Sequence, residues 1–291
     1  VALAEEMRRL PLFKSVSVDE LFRMSDAGKQ VRYGPGQALG QEARVPETVQ
    51  FLLSGQVALT RVGQDAGILE APAALGFQEL LENRPMNVTA RTIEASVCLT
   101  LTNEDLLTML GDNSQLVQGL FQMLSGESEP RRRSLVKGNP SEQGIRIAGS
   151  GLRPIEKGLV LKTIPAFSEV SPEEIIPLAA VATEVPLIPG THLFSEGDPP
   201  ALYAVLSGKL AVESSDNGES LQAGPTDIVG IFETLAGMDF ACRARVLREG
   251  MALRIGREDL FDLLSHRSEL LRQVFSALFR ARPPNKTDQM A

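Results

Sequence analysis

The sequence contains few of the residues that build metal centres and disulfide scaffolds. Its 291 residues include no Trp, two His and two Cys. Two cysteines are too few for a disulfide framework, and Cys98 and Cys242 both lie in strand-like segments, so we expect buried reduced thiols. His192 and His266 stand alone, without cysteine or carboxylate partners at metal-binding spacing, and therefore predict no metal site.

Basic residues and long apolar runs are also scarce. The chain has 29 Lys and Arg against 37 Asp and Glu, a net charge of −8, whereas nucleic-acid binding requires a basic face. No helix-turn-helix pattern follows the last strands, no apolar run reaches the roughly 18 residues of a membrane span, and the N-terminus has the wrong charge order for a secretory signal. We therefore expect a cytoplasmic protein without a DNA partner or a membrane span. Because the chain begins with Val rather than Met, we also expect a fragment of something longer.

Sequence patterns typical of enzymes are missing as well. The chain has no Gly-x-Ser-x-Gly elbow, no P-loop and no Ser-His-Asp arrangement. A catalytic site needs polar groups that converge in a pocket, and no such set can be assembled from the sequence. We therefore expect no catalytic residues and no cofactor.

What the chain does contain is an internal repeat. A displacement of 165 − 11 = 154 residues carries Pro11 onto Pro165, and the same displacement carries Gly76 onto Gly230. It slips by one residue only where "LLSGQV" aligns with "VLSGKL". Because the displacement holds from one end of each half to the other, the sequence indicates a tandem duplication. We expect a first domain at residues 5–125, a linker at 126–157, a second domain at 158–281 and a disordered tail at 282–291.

Each half begins and ends in predicted helix, with many short strands between. Ser17 and Ser171 are predicted N-caps with an acid three residues later, and the middle consists of short apolar runs broken by Gly, Pro and Asp. The fold class is thus mainly β with flanking helices. The terminal helices carry apolar stripes at helical spacing: Leu116, Leu120 and Leu124, repeated as Leu270, Val274 and Leu278. We favour packing of these stripes on each unit's own strands over a homodimer seam.

The motifs "LPLF", "PGQAL" and "LLSGQVAL", together with the loop at Gly76, resemble the cyclic-nucleotide-binding domain. This is the fold of catabolite-activator-type regulators and of kinase regulatory subunits. The second half, with "IPGTHLFSEGDPPALYAVLSGKLAV", is nearer to the family pattern, whereas the first half has "GQEARVPE" in place of a Gly-acid turn. The resemblance implies two β-rolls (double-stranded jelly rolls) in tandem. It also implies that terminal helices and the linker form the contact surfaces of a signalling module.

In this family a loop and short helix form the phosphate cassette. The resemblance implies that backbone N–H groups hold the cyclic phosphate, a Glu after the first Gly accepts from the ribose hydroxyl, and an Arg after a later Pro pairs with the phosphate charge. In the first unit Gly76 and Pro85 match the pattern, but Phe77 stands at the Glu position and Met86 at the Arg position. The first cassette is therefore expected to be degenerate, and the second unit leads to the same expectation.

In the second unit Gly230 matches the pattern and Asp239 replaces the Pro. Ile231 stands at the Glu position and Phe240 at the Arg position. Because side chains of a strand alternate, residues at even spacing from the Arg position share its direction. This face carries Phe240, Cys242, Ala244 and Val246, and in the first unit Met86, Val88 and Ala90. The arginines at positions 91, 243 and 245 are expected to face the other way, and Arg84 could reach in from the turn.

The cassette helices also carry one recurring acid and further candidate lining residues. Glu79 and Glu233 follow each Gly by three residues, and Leu80 and Thr234 come next. An acid in a first turn is favoured by the helix dipole, which is our preferred explanation; the alternative is that it occupies the anion site itself. In either case it should repel a phosphate. The loss of two charge-assisted hydrogen bonds costs about 3–6 kcal/mol, or roughly two to four decades of affinity.

The sequence therefore predicts a non-enzymatic regulatory or scaffolding module that does not bind cAMP or cGMP in the usual way. It would act through a protein partner or a fused effector domain. The alternative is a sensor for a cyclic nucleotide or another small ligand, with Phe77, Met86, Ile231 and Phe240 as an apolar lining. "RRRSL" (131–135) has the form of a basophilic kinase substrate; we favour an ordinary basic linker string over phosphorylation of Ser134.

Overall fold

The computed structural model describes residues 7–10, 13–14, 16–17, 19, 21–23, 28–82, 84–125, 135–138, 151–168, 170–213, 220–267, 270–271, 273–275 and 278. The chain divides into two compact units, of which the first ends at Gly119 and the second begins at Leu120. Residues 131–134, which include Ser134, and the tail 282–291 lie outside the described residues. The predictions made for them stay predictions.

The first unit is a roll of two antiparallel sheets. Its described strands are β1 (Lys29–Tyr33), β2 (Ala38–Gly40), β3 (Thr48–Ser54), β4 (Gln56–Arg61), β5 (Gln64–Glu70), β6 (Ala73–Leu75), β7 (Thr89–Thr92) and β8 (Ser96–Thr102). One sheet has the order β1-β8-β3-β6 and the other β2-β7-β4-β5. A short helix α1 (Phe77–Glu82) joins β6 to β7, and α2 (Asn103–Asp112) and α3 (Ser114–Ser125) follow β8. The boundary between the units falls within α3.

The second unit repeats this arrangement with longer strands. Its described strands are β9 (Leu135–Val136), β10 (Thr183–Leu187), β11 (His192–Phe194), β12 (Ala201–Glu213), β13 (Ser220–Ala223), β14 (Ile228–Val229) and β15 (Arg243–Gly256). They form one sheet with the path β10-β15-β12-β14-β9, in which β11 also pairs with β15 and β13 with β12. The described helices are α4 (Pro154–Leu161), a 3-10 turn (Pro165–Phe167), α5 (Pro172–Val181), α6 (Ile231–Ala236) and α7 (Arg257–His266).

The structure confirms the predicted duplication and the mainly β fold class. The displacement of 154 residues carries α1 onto α6, α2 onto α7 and β1 onto β10 without a residue of error. The long strands β12 and β15 each correspond to two successive strands of the first unit, β3 with β4 and β7 with β8. Two β-rolls with flanking helices are therefore present in one chain.

The apolar stripes of the terminal helices are buried within the single chain. Leu116 and Leu120 of the first stripe and Leu270, Val274 and Leu278 of the second are shielded from solvent, while the side chain of Leu124 lies outside the described part. Their burial agrees with the favoured packing within the chain, and the homodimer stays an alternative prediction. At the start of α5, Ser171 is the N-cap as predicted, but its side chain makes no capping bond.

Two parts of the expected linker have regular structure. Leu135–Val136 form a strand and Pro154–Leu161 form a helix, although the sequence around them is rich in Gly, Ser and Pro. The helix begins with Pro at its first turn, where the missing N–H costs nothing. Composition averaged over the whole stretch hides these two short apolar segments, which find partners only in the folded second unit.

Candidate functional site

The cassette of the first unit begins with a left-handed glycine. Gly76 has φ +75°, a conformation that favours glycine, and it places the chain at the start of α1. The Leu80 N–H then donates to the Gly76 carbonyl at 2.9 Å, and the Leu80 side chain is buried. The predicted loop-to-helix geometry is therefore present.

The cassette of the second unit has the same start under tighter constraint. Gly230, with φ +85°, is the N-cap of α6. A methyl group added there would lie 2.4 Å from the Ala201 carbonyl oxygen and 2.8 Å from the Phe240 ring, so only glycine fits. The Thr234 hydroxyl donates to the Gly230 carbonyl at 2.6 Å within the helix. Its polar group is thus used by the cassette's own backbone.

An aromatic stack occupies the interior of the second roll beside Gly230. The Phe240 ring lies 3.7 Å from the Phe194 ring at an angle of 12°, and Phe194 in turn stacks on Tyr203 at 5.7 Å. Phe240 is 1% exposed and belongs to a cluster that includes Cys242, Ala244 and Val246. The predicted inward face of this strand is therefore confirmed. Phe194 was not among the residues predicted from the sequence. His192, two residues earlier, is exposed, and the pairing register of β11 shifts between these two residues, so simple alternation does not place Phe194 in the interior.

In the first roll a methionine occupies the corresponding place. Met86 is 5% exposed, and a methyl group added at Gly40 would lie only 2.6 Å from its sulfur. Met86 packs with Ala90 in the interior cluster, and Val88 lies half-buried against that cluster. The predicted inward face of this strand is thus confirmed as well. Pro85 and Asp239, which precede Met86 and Phe240, are both exposed.

The structure separates Phe77 from Met86. The Phe77 ring lies 6.3 Å from that of Phe51, which in turn lies 5.1 Å from Phe13. Phe51 and Leu52 are consecutive residues of β3 and therefore face opposite sides of the sheet, and it is Leu52 that packs in the cluster of Met86. Phe77 and Met86 consequently lie on different sides of β3, not around one lining. Ile231, the counterpart of Phe77, is fully buried.

The recurring acids have different surroundings in the two cassettes. A carboxylate oxygen of Glu79 lies 3.7 Å from a guanidinium nitrogen of Arg84, with the Glu79 side chain 15% exposed and that of Arg84 37% exposed. Arg84, the one cation that could reach in from the turn, is therefore engaged by the acid of its own cassette. Glu233 is 0% exposed, in the first turn of α6.

The other strand arginines face away from the roll interiors. Arg243 and Arg245 both bond Glu213 across the sheet, at 3.1 Å and 2.8 Å. The hydrogen bonds from Arg245 and then Arg243 hold the pKa of the Glu213 carboxyl below its ordinary value. In the first roll the Arg91 guanidinium donates to the Gly36 carbonyl at 3.2 Å. These arginines have structural partners outside the cassettes, as strand alternation predicts.

The turn that faces each Arg-position residue is conserved in shape but not in sequence. In the second roll Gly197 (φ +84°) donates its N–H to the Phe240 carbonyl at 2.8 Å. In the first roll Ala43 makes the same bond to Met86 at 2.9 Å, with φ +63°. The segment "GQEARVPE" thus forms a turn equivalent to the Gly-acid turn, although one residue is held in a left-handed conformation that alanine disfavours.

The first roll also buries titratable groups. Cys98 is fully buried in the interior cluster, and burial raises the pKa of its thiol to about 12. Burial likewise raises the pKa of Tyr33, which packs against the same cluster and whose hydroxyl donates to Gln50 Oε1 at 3.5 Å. Cys242 is buried in the second roll. Among the described residues no group of three or more His, Cys, Asp or Glu side chains is placed to hold a metal ion.

No helix in the described ranges is long and apolar enough to cross a membrane.

The sequence model of the cyclic nucleotide-binding domain matches residues 30–113 and 184–267, more than half of the chain. Uncharacterized NTE family proteins of Mycobacterium tuberculosis and Mycobacterium bovis are 25% identical over 140 residues, which cover 45% of this chain and 24% of each relative. The match thus spans about a quarter of the length of these curated relatives.

Three solved structures resemble this chain, each with a low TM-score. The regulatory domain of Toxoplasma gondii PKA with cAMP is 16% identical, with a TM-score of 0.36, over 92% of this chain and 93% of that one. The regulatory subunit of a cAMP-independent protein kinase A from Trypanosoma brucei is 17% identical, with a TM-score of 0.39, over 98% and 89%. The N-terminal domain of a transcriptional regulator from Streptomyces coelicolor is 30% identical, with a TM-score of 0.38, over 42% and 90%. Because the family match covers both halves and each half forms a β-roll, this chain belongs to the cyclic nucleotide-binding domain family and contains two such domains in tandem.

Proposed function

We propose that this chain is a non-enzymatic regulatory or scaffolding module whose two cassettes are degenerate, and which acts through protein contacts, not through cAMP or cGMP. The observation that carries the proposal is the aromatic stack of the second roll. Phe240 stands where the family pattern has its phosphate-binding Arg, and its ring lies flat on Phe194 against Gly230. The place of a cation and its phosphate is thus filled by apolar carbon.

The second cassette offers no replacement for that charge among its described neighbours. Arg243 and Arg245 bond Glu213 on the opposite face of their strand. Glu233 adds a buried carboxylate in the first turn of α6. A phosphate at the helix start would therefore meet an aromatic ring and a buried acid, and both disfavour an anion in a low-dielectric site.

The first cassette disfavours a phosphate for a related reason. Met86 fills the Arg position with a thioether, and Arg84, the cation in the turn before it, pairs with Glu79. For Arg84 to bind a phosphate, it would have to leave that carboxylate, which would then stand beside the anion. With both charge-assisted anchors gone, affinity should fall by roughly two to four decades relative to an intact cassette.

The curated relatives support a role beside an effector. Only 24% of each relative is matched by this chain, so each carries further sequence to which such a module could be joined. We propose that the module is attached to, or works beside, an effector protein, and that DNA is not its partner because the chain carries a net charge of −8.

The test is a thermal-shift titration of the full chain with cAMP and cGMP up to about 1 mM, with 5′-AMP as the ligand that lacks the cyclic phosphate. A ligand at a hundred times its Kd should stabilise by about 2.7 kcal/mol, which is easily measured. We expect no difference between the cyclic nucleotides and 5′-AMP. A saturable shift at micromolar cAMP or cGMP would show that the cassettes still bind and would reject the proposal.

A second candidate function is a sensor for an apolar small molecule in the first roll. The observation that favours it is a set of partly buried apolar side chains that pack against the interior cluster of that roll: Tyr33, Leu39, Leu59, Leu69, Ala71 and Val88. Pockets for small molecules are mostly apolar with a few polar groups, and Gln50 supplies an amide that accepts from Thr100 at 2.7 Å. The second roll has fewer partly buried side chains around its larger cluster.

A thermal-shift screen with neutral apolar fragments distinguishes the two candidates. A sensor in the first roll predicts saturable stabilisation that is lost when Leu59 is replaced by Asp, while Ile68→Asp, at an exposed position of the neighbouring strand β5, would serve as the matched control. The absence of any fragment-dependent shift would leave the scaffold proposal as the better one.

A further inference from the structure

The linker contributes a strand to the edge of the second roll. Leu135 pairs with Val229 and Val136 with Ile228, so that β9 continues the sheet beyond β14. Val136 is buried, and Leu135 packs against the interior cluster of the roll. Strand addition of this kind is a common way for proteins to recognise an extended peptide, since main-chain bonds give affinity and side-chain pockets give specificity.

A buried aspartate fixes the end of this segment. Asp227 is 6% exposed, and its Oδ1 accepts from the Gly138 N–H at 2.7 Å. Its Oδ2 accepts from the Lys137 ammonium at 2.9 Å and from the Gly224 N–H at 2.8 Å. Lys137 also donates to the Gln222 carbonyl. One carboxylate therefore binds both a cationic side chain and the backbone of the segment.

The contact at Gly138 admits no larger residue. A methyl group added there would lie 2.2 Å from the Thr226 hydroxyl oxygen and 2.4 Å from the Thr226 carbonyl oxygen. Thr226 itself has φ +72°, which is rare for a β-branched residue and marks a strained turn. The surface around Asp227 thus accommodates two apolar residues, then Lys, then Gly.

This segment is an addition to the repeated fold. It lies outside both family matches, 30–113 and 184–267. In the described part of the first unit the counterpart of β14 is β6, which stands at the end of its sheet. The edge beyond β14 is therefore a separate surface, which the linker happens to occupy.

We propose that the β14 edge and the Asp227 turn form a strand-docking site for an extended apolar-apolar-Lys-Gly segment, and that the chain occupies this site with its own Leu135–Gly138. The occupied site excludes a similar segment from another molecule until the linker leaves. Because Val229 directly precedes Gly230 and α6, the occupied edge adjoins the second cassette. This inference stands apart from the question whether either cassette binds a nucleotide.

The test opens the site and supplies the segment from outside. In the full chain, residues 135–138 are replaced by Gly-Ser-Gly-Ser, which keeps the linker length and removes the docked side chains. A fluorescein-labelled peptide of residues 133–141 (RSLVKGNPS) is then titrated and followed by fluorescence anisotropy. We expect saturable binding to the opened chain and binding at least about tenfold weaker to the unaltered chain.

Two matched controls make the result specific. In the first control, a peptide with Lys137→Glu places like charges together at Asp227 and should bind to the opened chain at least about tenfold more weakly than the natural peptide. In the second, the natural peptide should show a similar loss of affinity for an opened chain that also carries Asp227→Ala. A single cooperative thermal transition in both opened chains, at a temperature above that of the titration, establishes that the roll is folded. If the intact opened chain binds no peptide, or binds the natural and Lys137→Glu peptides equally, the docking site is rejected.

If the opened chain does not fold, amide hydrogen exchange on the otherwise unaltered chain decides. Asp227→Asn, which keeps the shape of the side chain and removes its charge, should then speed exchange at residues 135–138 about tenfold while exchange in β15 is unchanged. Exchange of these amides at the rate of a free peptide in the unaltered chain would equally reject the proposal.

Discussion

Truncation of Phe240 is the sharpest test of the idea that the second cassette is filled by its own side chain. Phe240→Ala removes a ring that is 1% exposed, lies 3.7 Å from Phe194 and touches Gly230. Buried Phe→Ala changes cost about 3–5 kcal/mol, of which a stacked aromatic pair contributes about 0.5–1.5 kcal/mol. This is a large part of the roughly 5–15 kcal/mol that stabilises an ordinary domain.

Urea denaturation followed by tyrosine fluorescence measures this loss of stability in the second unit of the chain. The chain has no Trp and two Tyr, of which Tyr33 lies in the first roll and Tyr203 stacks on Phe194 in the second. In a Tyr33→Phe background the signal therefore reports the second roll alone. With a slope of about 1–3 kcal/mol per M, the loss should lower the urea midpoint by at least about 1 M.

The exposed neighbour Asp239 provides the matched control. Asp239→Ala should change the free energy of unfolding by less than about 0.5 kcal/mol, since its side chain lies at the surface. A loss below about 1 kcal/mol for Phe240→Ala would mean that the ring is not packed into the cassette. The argument for a filled anion site would then be refuted.

Three further changes test other parts of the structure by urea denaturation. Ala43→Gly should raise stability by about 0.5–1 kcal/mol because φ +63° strains alanine, whereas Ala74→Gly in β6 should lower it; equal effects would contradict the strain. Burial raises the pKa of Cys98 to about 12, whereas a thiol in an unfolded chain has a pKa near about 8.5. The contribution of Cys98 to stability is therefore complete below the pKa of the unfolded chain and is lost as pH rises towards the pKa of the folded chain. Cys98→Ala should flatten the dependence of unfolding free energy on pH between these two values. Thr102→Ala should cost about 1 kcal/mol, since the Thr102 hydroxyl accepts from the Asp105 N–H at 3.1 Å at the start of α2, and no loss would contradict this cap.

Much of the candidate site could be predicted from local pattern. The period of two along a strand placed Phe240 and Cys242 inside the roll and Arg243 outside it, as the structure confirms. Gly76 and Gly230 were placed at the start of the cassettes by the loop motif, and their left-handed conformation fits a sharp turn into a helix, which favours a residue without Cβ. These features depend on neighbours in sequence, so the sequence alone contains enough information.

Other features depend on residues far apart in the chain. Alternation cannot say which side of β3 receives α1, and thus Phe77 packs on Phe51 and not beside Met86. Ala43 adopts the turn of a glycine because its N–H bonds Met86, a contact over 43 residues. The ion pair of Arg84 with Glu79 likewise depends on the conformation of the turn after α1, which brings the two side chains together.

The sequence by itself determined the duplication, the mainly β fold class and the apolar character of the Arg positions, because repeats, periodicity and residue type are properties of the chain. Only the tertiary structure decided what occupies each cassette: a stacked Phe240 in the second roll and Met86 over Gly40 in the first. It alone also revealed that Leu135–Gly138 docks on β14. The physical reason is that packing, ion pairing and strand pairing are set by distances between residues far apart in sequence, which no local pattern specifies.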